Sequence, residues 1–140
     1  MKRVPVLLAA VGAAAVVAAT AHAAAPRYIL VSGPGLERPV LLDDWAENLV
    51  LLTALLPSRR PTPGWRRGRL RYDLALFWGV PAEPVPTDPR QASQHAWFYP
   101  ATRGRRAVFD ILLSGQRLPR LATWRSLRIL ARHGVPTRTS

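Results

Sequence analysis

Between residues 69 and 78 the chain alternates: Leu70, Tyr72, Leu74, Leu76 and Trp78 share one parity, while Arg71, Asp73, Ala75 and Phe77 share the other. Successive side chains of a strand point to opposite faces, so this run predicts a strand with one face in a core. The second face begins charged and turns apolar near Phe77, which predicts that part of it is covered as well. Such a strand needs backbone partners, and its neighbours offer them. Residues 27–32 and 38–42 are short β-branched and aromatic runs joined through Gly33-Pro34-Gly35, the chemistry of a turn. The Lys and Ser/Thr of a phosphate-cradling loop are missing there, so the glycines are read as turn residues. Residues 95–100 and 106–113 predict a β-hairpin with Gly104 in the left-handed position of its connection.

Two helices complete the pattern. Asp43 and Asp44 precede an apolar run over 45–56, Glu47 follows Asp44 by three as in a capping box, and Pro57 ends the run. Trp45, Leu49, Leu52 and Leu56 fall at helical spacing, widened by Val50, Leu51 and Leu55, so this helix is expected to be buried on most sides. The second spans 121–132, with His133-Gly134 closing it. Leu121, Trp124, Leu127, Leu130 and Ala131 form its apolar face, and Arg125, Arg128 and Arg132 its basic one. Four prolines between Gly79 and Gln91 predict an extended, polyproline-like excursion. The expected fold is α+β: an antiparallel sheet of four to five strands packed with one or two helices. Helix 45–56 is expected across one face, with Trp124 and Leu127 closing an end. The chain has no cysteine, so the core must hold the domain without cross-links.

The first residues read as an address. Lys2 and Arg3, an apolar run over 4–19 and Ala21-His22-Ala23 form an export signal with a small-x-small cleavage site. A signal peptide over 1–23 and a single small α+β domain over 24–140 are expected, secreted or extracytoplasmic, and membrane-anchored if the leader is retained. Lipid attachment would need a cysteine at the cleavage site. Loss of Lys2 and Arg3 with the leader lowers the net charge of +12 by two, to +10, and every basic residue left is arginine. Guanidinium groups match phosphate and carboxylate, so the charge points to anionic partners. A genome rich in G and C also encodes Arg in place of Lys, which explains the choice of base but not the excess of base over acid.

No motif names a reaction. The densest positive charge lies in 57–71, where Arg59, Arg60, Arg66, Arg67, Arg69 and Arg71 surround Trp65. Arg59, Arg60, Trp65, Arg66, Arg67, Arg125, Arg128 and Arg132 are the candidate contacts of an anionic surface, with Trp65 alternatively a lid over the core. The favoured function is a non-enzymatic exported domain that associates with an anionic envelope polymer or phospholipid surface. Docking on a protein through Trp65 or Trp78 is an alternative, and no nucleic-acid module accompanies the charge. A small extracytoplasmic hydrolase is the other class, using Asp43, Asp44, His95 or Asp110. It lacks a Ser, Cys or metal constellation, and no catalytic residue, metal or cofactor is assigned. Asp110 is expected to face solvent or pair with an arginine such as Arg71. The leader, the segment Ile29 to Val40, Arg71-Tyr-Asp-Leu, Tyr99-Pro100 and Trp124 resemble landmarks of a loose group of short exported bacterial proteins. That resemblance implies extracytoplasmic location and a compact domain, and carries no catalytic residue across.

Overall fold

A computed structural model describes residues 25–53 and 57–139. The expected leader lies outside the described residues. Six strands, β1 (Tyr28–Ser32), β2 (Val40–Leu42), β3 (Tyr72–Phe77), β4 (Gln94–Tyr99), β5 (Val108–Leu113) and β6 (Gln116–Leu121), form one antiparallel sheet in the order β2-β1-β3-β4-β5-β6. Two helices, α1 (Trp45–Thr53) and α2 (Trp124–Arg132), accompany it. The fold is α+β, as the alternating and helical periodicities require.

The pleat sorts the sheet into two faces. Ile29, Val31, Leu42, Leu74, Leu76, Phe98, Phe109 and Ile111 join Leu51 of α1 and Ile129 and Leu130 of α2 in the main core. Phe98 and Phe109, directly opposed in register, stack with centroids 4.7 Å apart. On the opposite face Tyr28, Leu30, Ala75 and Phe77 make a smaller cluster closed by Val80 and Ala92 of the proline-rich segment. Tyr28 donates its hydroxyl to Ala82 O at 2.6 Å, tying that segment down. The expected cover over the apolar end of β3 is therefore the proline-rich excursion, which contains a short 3₁₀ helix at Pro89–Gln91.

Local chemistry sets the element ends. Asp44 Oδ1 accepts from Ala46 N at 2.9 Å and Glu47 N at 3.2 Å, capping α1. The Glu47 carboxylate does not complete a capping box; it takes Arg132 at 3.0 Å and His133 at 2.8 Å, joining the two helices. At α2 the box is complete: Thr123 Oγ1 accepts from Ser126 N and Ser126 Oγ accepts from Thr123 N. A Cβ on Gly33 would stand 2.6 Å from the Tyr72 ring, so the turn approaches β3 as only glycine allows.

Several expectations are corrected. The sheet has six strands, not four to five, because Gln116–Leu121 pairs with β5 around a tight turn at Ser114 and Gly115. Pro119 hides this strand from sequence reading. It costs no ladder bond: Ala122 N donates to Ala107 O while Leu121 N turns outward to Arg59 O, and alternation aims position 119 outward too. α2 begins at Trp124 rather than 121, and its buried residues are Ser126, Ile129 and Leu130. Trp124 does not close an end of the core; it is 65% exposed. Leu70 is exposed as well, since β3 starts only at Tyr72. Helix α1 buries Asn48, whose Nδ2 donates to Pro26 O, Arg27 O and Leu42 O. Residues 54–56, the expected end of α1, lie outside the described residues. Among the described residues no helix is long and apolar enough to cross a membrane.

Candidate anion-binding tract

The basic segment after Pro57 does not extend away from the fold. Ser58 Oγ donates to Leu121 O at 2.6 Å and Arg59 O accepts from Leu121 N at 2.7 Å, so the chain pairs with the end of β6 at its free edge. It then passes over the second face. Trp65 sets its ring edge-on to Tyr99, centroids 4.9 Å apart. Arg69 fastens the return: its guanidinium donates to Trp65 O, Tyr99 O, Pro100 O and Arg106 O, the last two at 2.7 Å. Burial, and then the nearby Arg105, hold Arg69 below the ordinary guanidinium pKa.

Three neighbouring cavities follow from this arrangement. The first, about 470 Å³, lies between 64–67 and the β5–β6 hairpin, where Arg66, Arg67 and Arg117 surround Asp110. The second, about 390 Å³, shares Gly64 and Trp65 with the first and adds Arg60, Arg105 and Arg106. A third, about 420 Å³, shares Gly104, Arg105 and Arg106 with the second and reaches Trp124 and Arg138. Through these shared lining residues the three adjoin as a tract of recesses. Asp110 is the only carboxylate that lines it among the described residues. Among the described residues Arg60, Arg66, Arg67, Arg105, Arg106 and Arg138 form no ion pair within 4.0 Å, although Arg105 donates to Arg67 O at 2.5 Å.

The cross-strand ladder of the second face places the remaining polar groups. Ser32, Asp73, Trp97, Asp110 and Pro119 lie in one row across five strands. Asp110 is buried, with Oδ2 accepting from Arg117 at 3.3 Å and Oδ1 without a partner. Arg117 also lies over the Trp97 ring, 4.3 Å from its centroid. Burial pushes the Asp110 carboxyl above its ordinary pKa, against the pull of Arg117 and Arg66. Asp110 thus pairs with an arginine of a neighbouring strand, as expected, but with Arg117 rather than Arg71, because the strand beside it is β6, which Pro119 concealed.

The sequence-predicted residues separate into groups. Arg60, Trp65, Arg66 and Arg67 line the tract, whereas Arg59 contributes its backbone to the β6 edge. Arg125, Arg128 and Arg132 lie on α2 away from its lining; Arg132 pairs with Glu47, and Arg125 stands 5.4 Å from the Trp124 ring centroid. Sequence reading missed Arg105, Arg106, Arg117 and Arg138. Only the close spacing of Arg103, Arg105 and Arg106 marked any of them.

Nor are the four hydrolase candidates gathered. Asp44 is spent on its cap, Asp43 lies beside Trp45 and Arg27, and His95 Nδ1 meets Asp73 at 3.1 Å, not Asp110. The nearby hydroxyl, Ser32, stands across Asp73 in the strand order β1-β3-β4, opposite the side from which the imidazole approaches. An Asp between Ser and His cannot pass a proton from hydroxyl to ring as a nucleophilic triad does. Among the described residues no three His, Asp or Glu side chains gather to hold a metal ion. Comparison with protein families, curated proteins and solved structures finds no match for this chain.

Proposed function

We propose that this protein is an exported, non-enzymatic domain that binds a polyanion of the cell envelope along its arginine-lined tract. One observation carries the reading: three adjoining cavities share their walls and present Arg60, Arg66, Arg67, Arg105, Arg106 and Arg138 with a single carboxylate among them. Compositional bias toward arginine would not segregate base from acid. The remaining acids sit elsewhere, several of them spent on caps and ion pairs, as with Asp44, Glu47 and Asp88. Unpaired guanidinium groups lining a concave wall attract anions at long range and bind them in forks.

The signal-like leader supports a partner outside the cytosol, where wall polymers and lipid headgroups are the abundant anions. The Trp78 route to a protein partner has less support, because Trp78 is half-buried against the main core. Two measurements test the proposal. Binding of the purified protein to polyphosphate should weaken steeply from 50 to 200 mM salt, since screened or released counterions set the attraction. The triple variant R60A/R105A/R106A should lose roughly 3- to 150-fold in affinity, each exposed charge contributing a few tenths to 1 kcal/mol. Salt-independent binding, or an unaffected triple variant, rejects the tract. Cell fractionation with N-terminal sequencing tests export: a full-length chain that keeps Met1 and fractionates with cytosolic proteins rejects it.

A further inference from the structure

Within the tract the 470 Å³ cavity differs from the other two. It is the one with a carboxylate in its wall, and that carboxylate, although buried, leaves Oδ1 without a hydrogen-bond partner. An unpaired buried oxygen has lost water without gaining a donor, an arrangement that natural proteins rarely leave unanswered. Arg66, Arg67 and Arg117 stand around the same space. A ligand that suits both features carries an anionic group and a hydrogen-bond donor on one small unit. Resting on the tract reading, we propose that this cavity is a subsite for an acidic saccharide unit of a polysaccharide. The arginines hold its carboxylate, and a ring hydroxyl donates to Asp110.

Competing anions fit less well. Inorganic phosphate chains bring no donor for the unpaired Asp110 oxygen. A lipid bilayer presents a plane of headgroups, whereas these charges line recesses. Single-stranded nucleic acid binds by stacking bases on open aromatic faces. Here Arg117 already covers a face of Trp97, and Trp65 is set against Tyr99. The volume lies within the roughly 300–1,000 Å³ of small-ligand pockets, room for a sugar ring and its water.

The test uses the whole protein with three polymers of matched length, polygalacturonate, the same polymer with its ring hydroxyls O-methylated, and polyphosphate, and with single-stranded DNA and anionic vesicles as competitors. Polygalacturonate should bind at least about tenfold more tightly than the O-methylated polymer, which keeps every carboxylate; tenfold corresponds to about 1.4 kcal/mol, one hydrogen bond to a charged group. Asp110→Ala should remove that difference while leaving polyphosphate binding unchanged or tighter. Arg66→Ala, an exposed loop substitution, should weaken all three. Equal binding of native and O-methylated polygalacturonate overturns the saccharide subsite, even if polyphosphate still binds and the tract stands. Tighter binding of single-stranded DNA or anionic vesicles than of polygalacturonate overturns it also. Failure of every probe to bind in a salt-dependent way rejects the tract itself. Because the O-methylated comparison needs no variant, it decides the matter should Asp110→Ala fail to fold.

Discussion

Arg69 sits among its tract neighbours but serves the fold. Its guanidinium meets four carbonyls from the basic segment, the β4 end and the strand approach to β5, linking parts of the chain up to 37 residues apart. A lysine has one ammonium and cannot reproduce the fork. Arg69→Ala should therefore destabilise the protein by about 3 kcal/mol, because a charged donor is lost and half-buried carbonyls go unanswered. Arg69→Lys should recover less than half of that, as read by urea denaturation; full recovery by lysine would mean that charge alone, not the fork, holds the loop. In the sequence Arg69 was one of six similar arginines, and nothing in its spacing distinguished the fastener from its solvent-facing neighbours. What separates them is the position of the Tyr99, Pro100 and Arg106 carbonyls, which come from another part of the chain.

Capping chemistry made the start of α1 legible but not that of α2, and packing faces were less so. Asp44 was visible as a cap because its oxygen satisfies amides only two and three residues away. The α2 cap escaped notice, because Leu121 and Trp124 suggested that the apolar periodicity began earlier. Thr123→Ala should cost about 1 kcal/mol, and Thr123→Ser should restore most of it, measured by thermal or urea unfolding. An unchanged Thr123→Ala would mean that burial of Ile129 and Leu130, not the cap, fixes where α2 begins. The strands divide in the same way. β1 to β5 announced themselves through alternation, β-branched and aromatic runs and turn chemistry. β6 did not, since Gln116, Arg117 and Pro119 are poor strand residues taken singly. Its existence depends on β5 offering a free edge and on the Ser114–Gly115 turn, with residues 58 and 59 finishing the outer side.

At the scale of the whole molecule, stability and charge meet at Asp110. Its folded pKa is raised, so the folded protein binds that proton more tightly than the unfolded chain does. The resulting contribution is complete below the ordinary value of 3.8 and is lost as pH rises through the raised folded value. Asp110→Asn has no such titration. The stability of D110N relative to the parent should therefore rise over that interval and level off above it, followed by urea denaturation at a series of pH values; a flat difference would show that Arg117 fully offsets the burial. The sequence by itself determined the α+β class, five of the six strands, the α1 cap, the reliance on an uncrosslinked core and the large excess of arginine, because alternation, capping and charge act over a few residues. It also supplied half of the tract, the run from Arg60 to Arg67. Tertiary structure alone decided which arginines share a wall, that Asp110 answers to Arg117 and His95 to Asp73, and that Trp124 lies outside the core. Those relations are made by strand order and register, which bring together residues whose separation along the chain carries no signal.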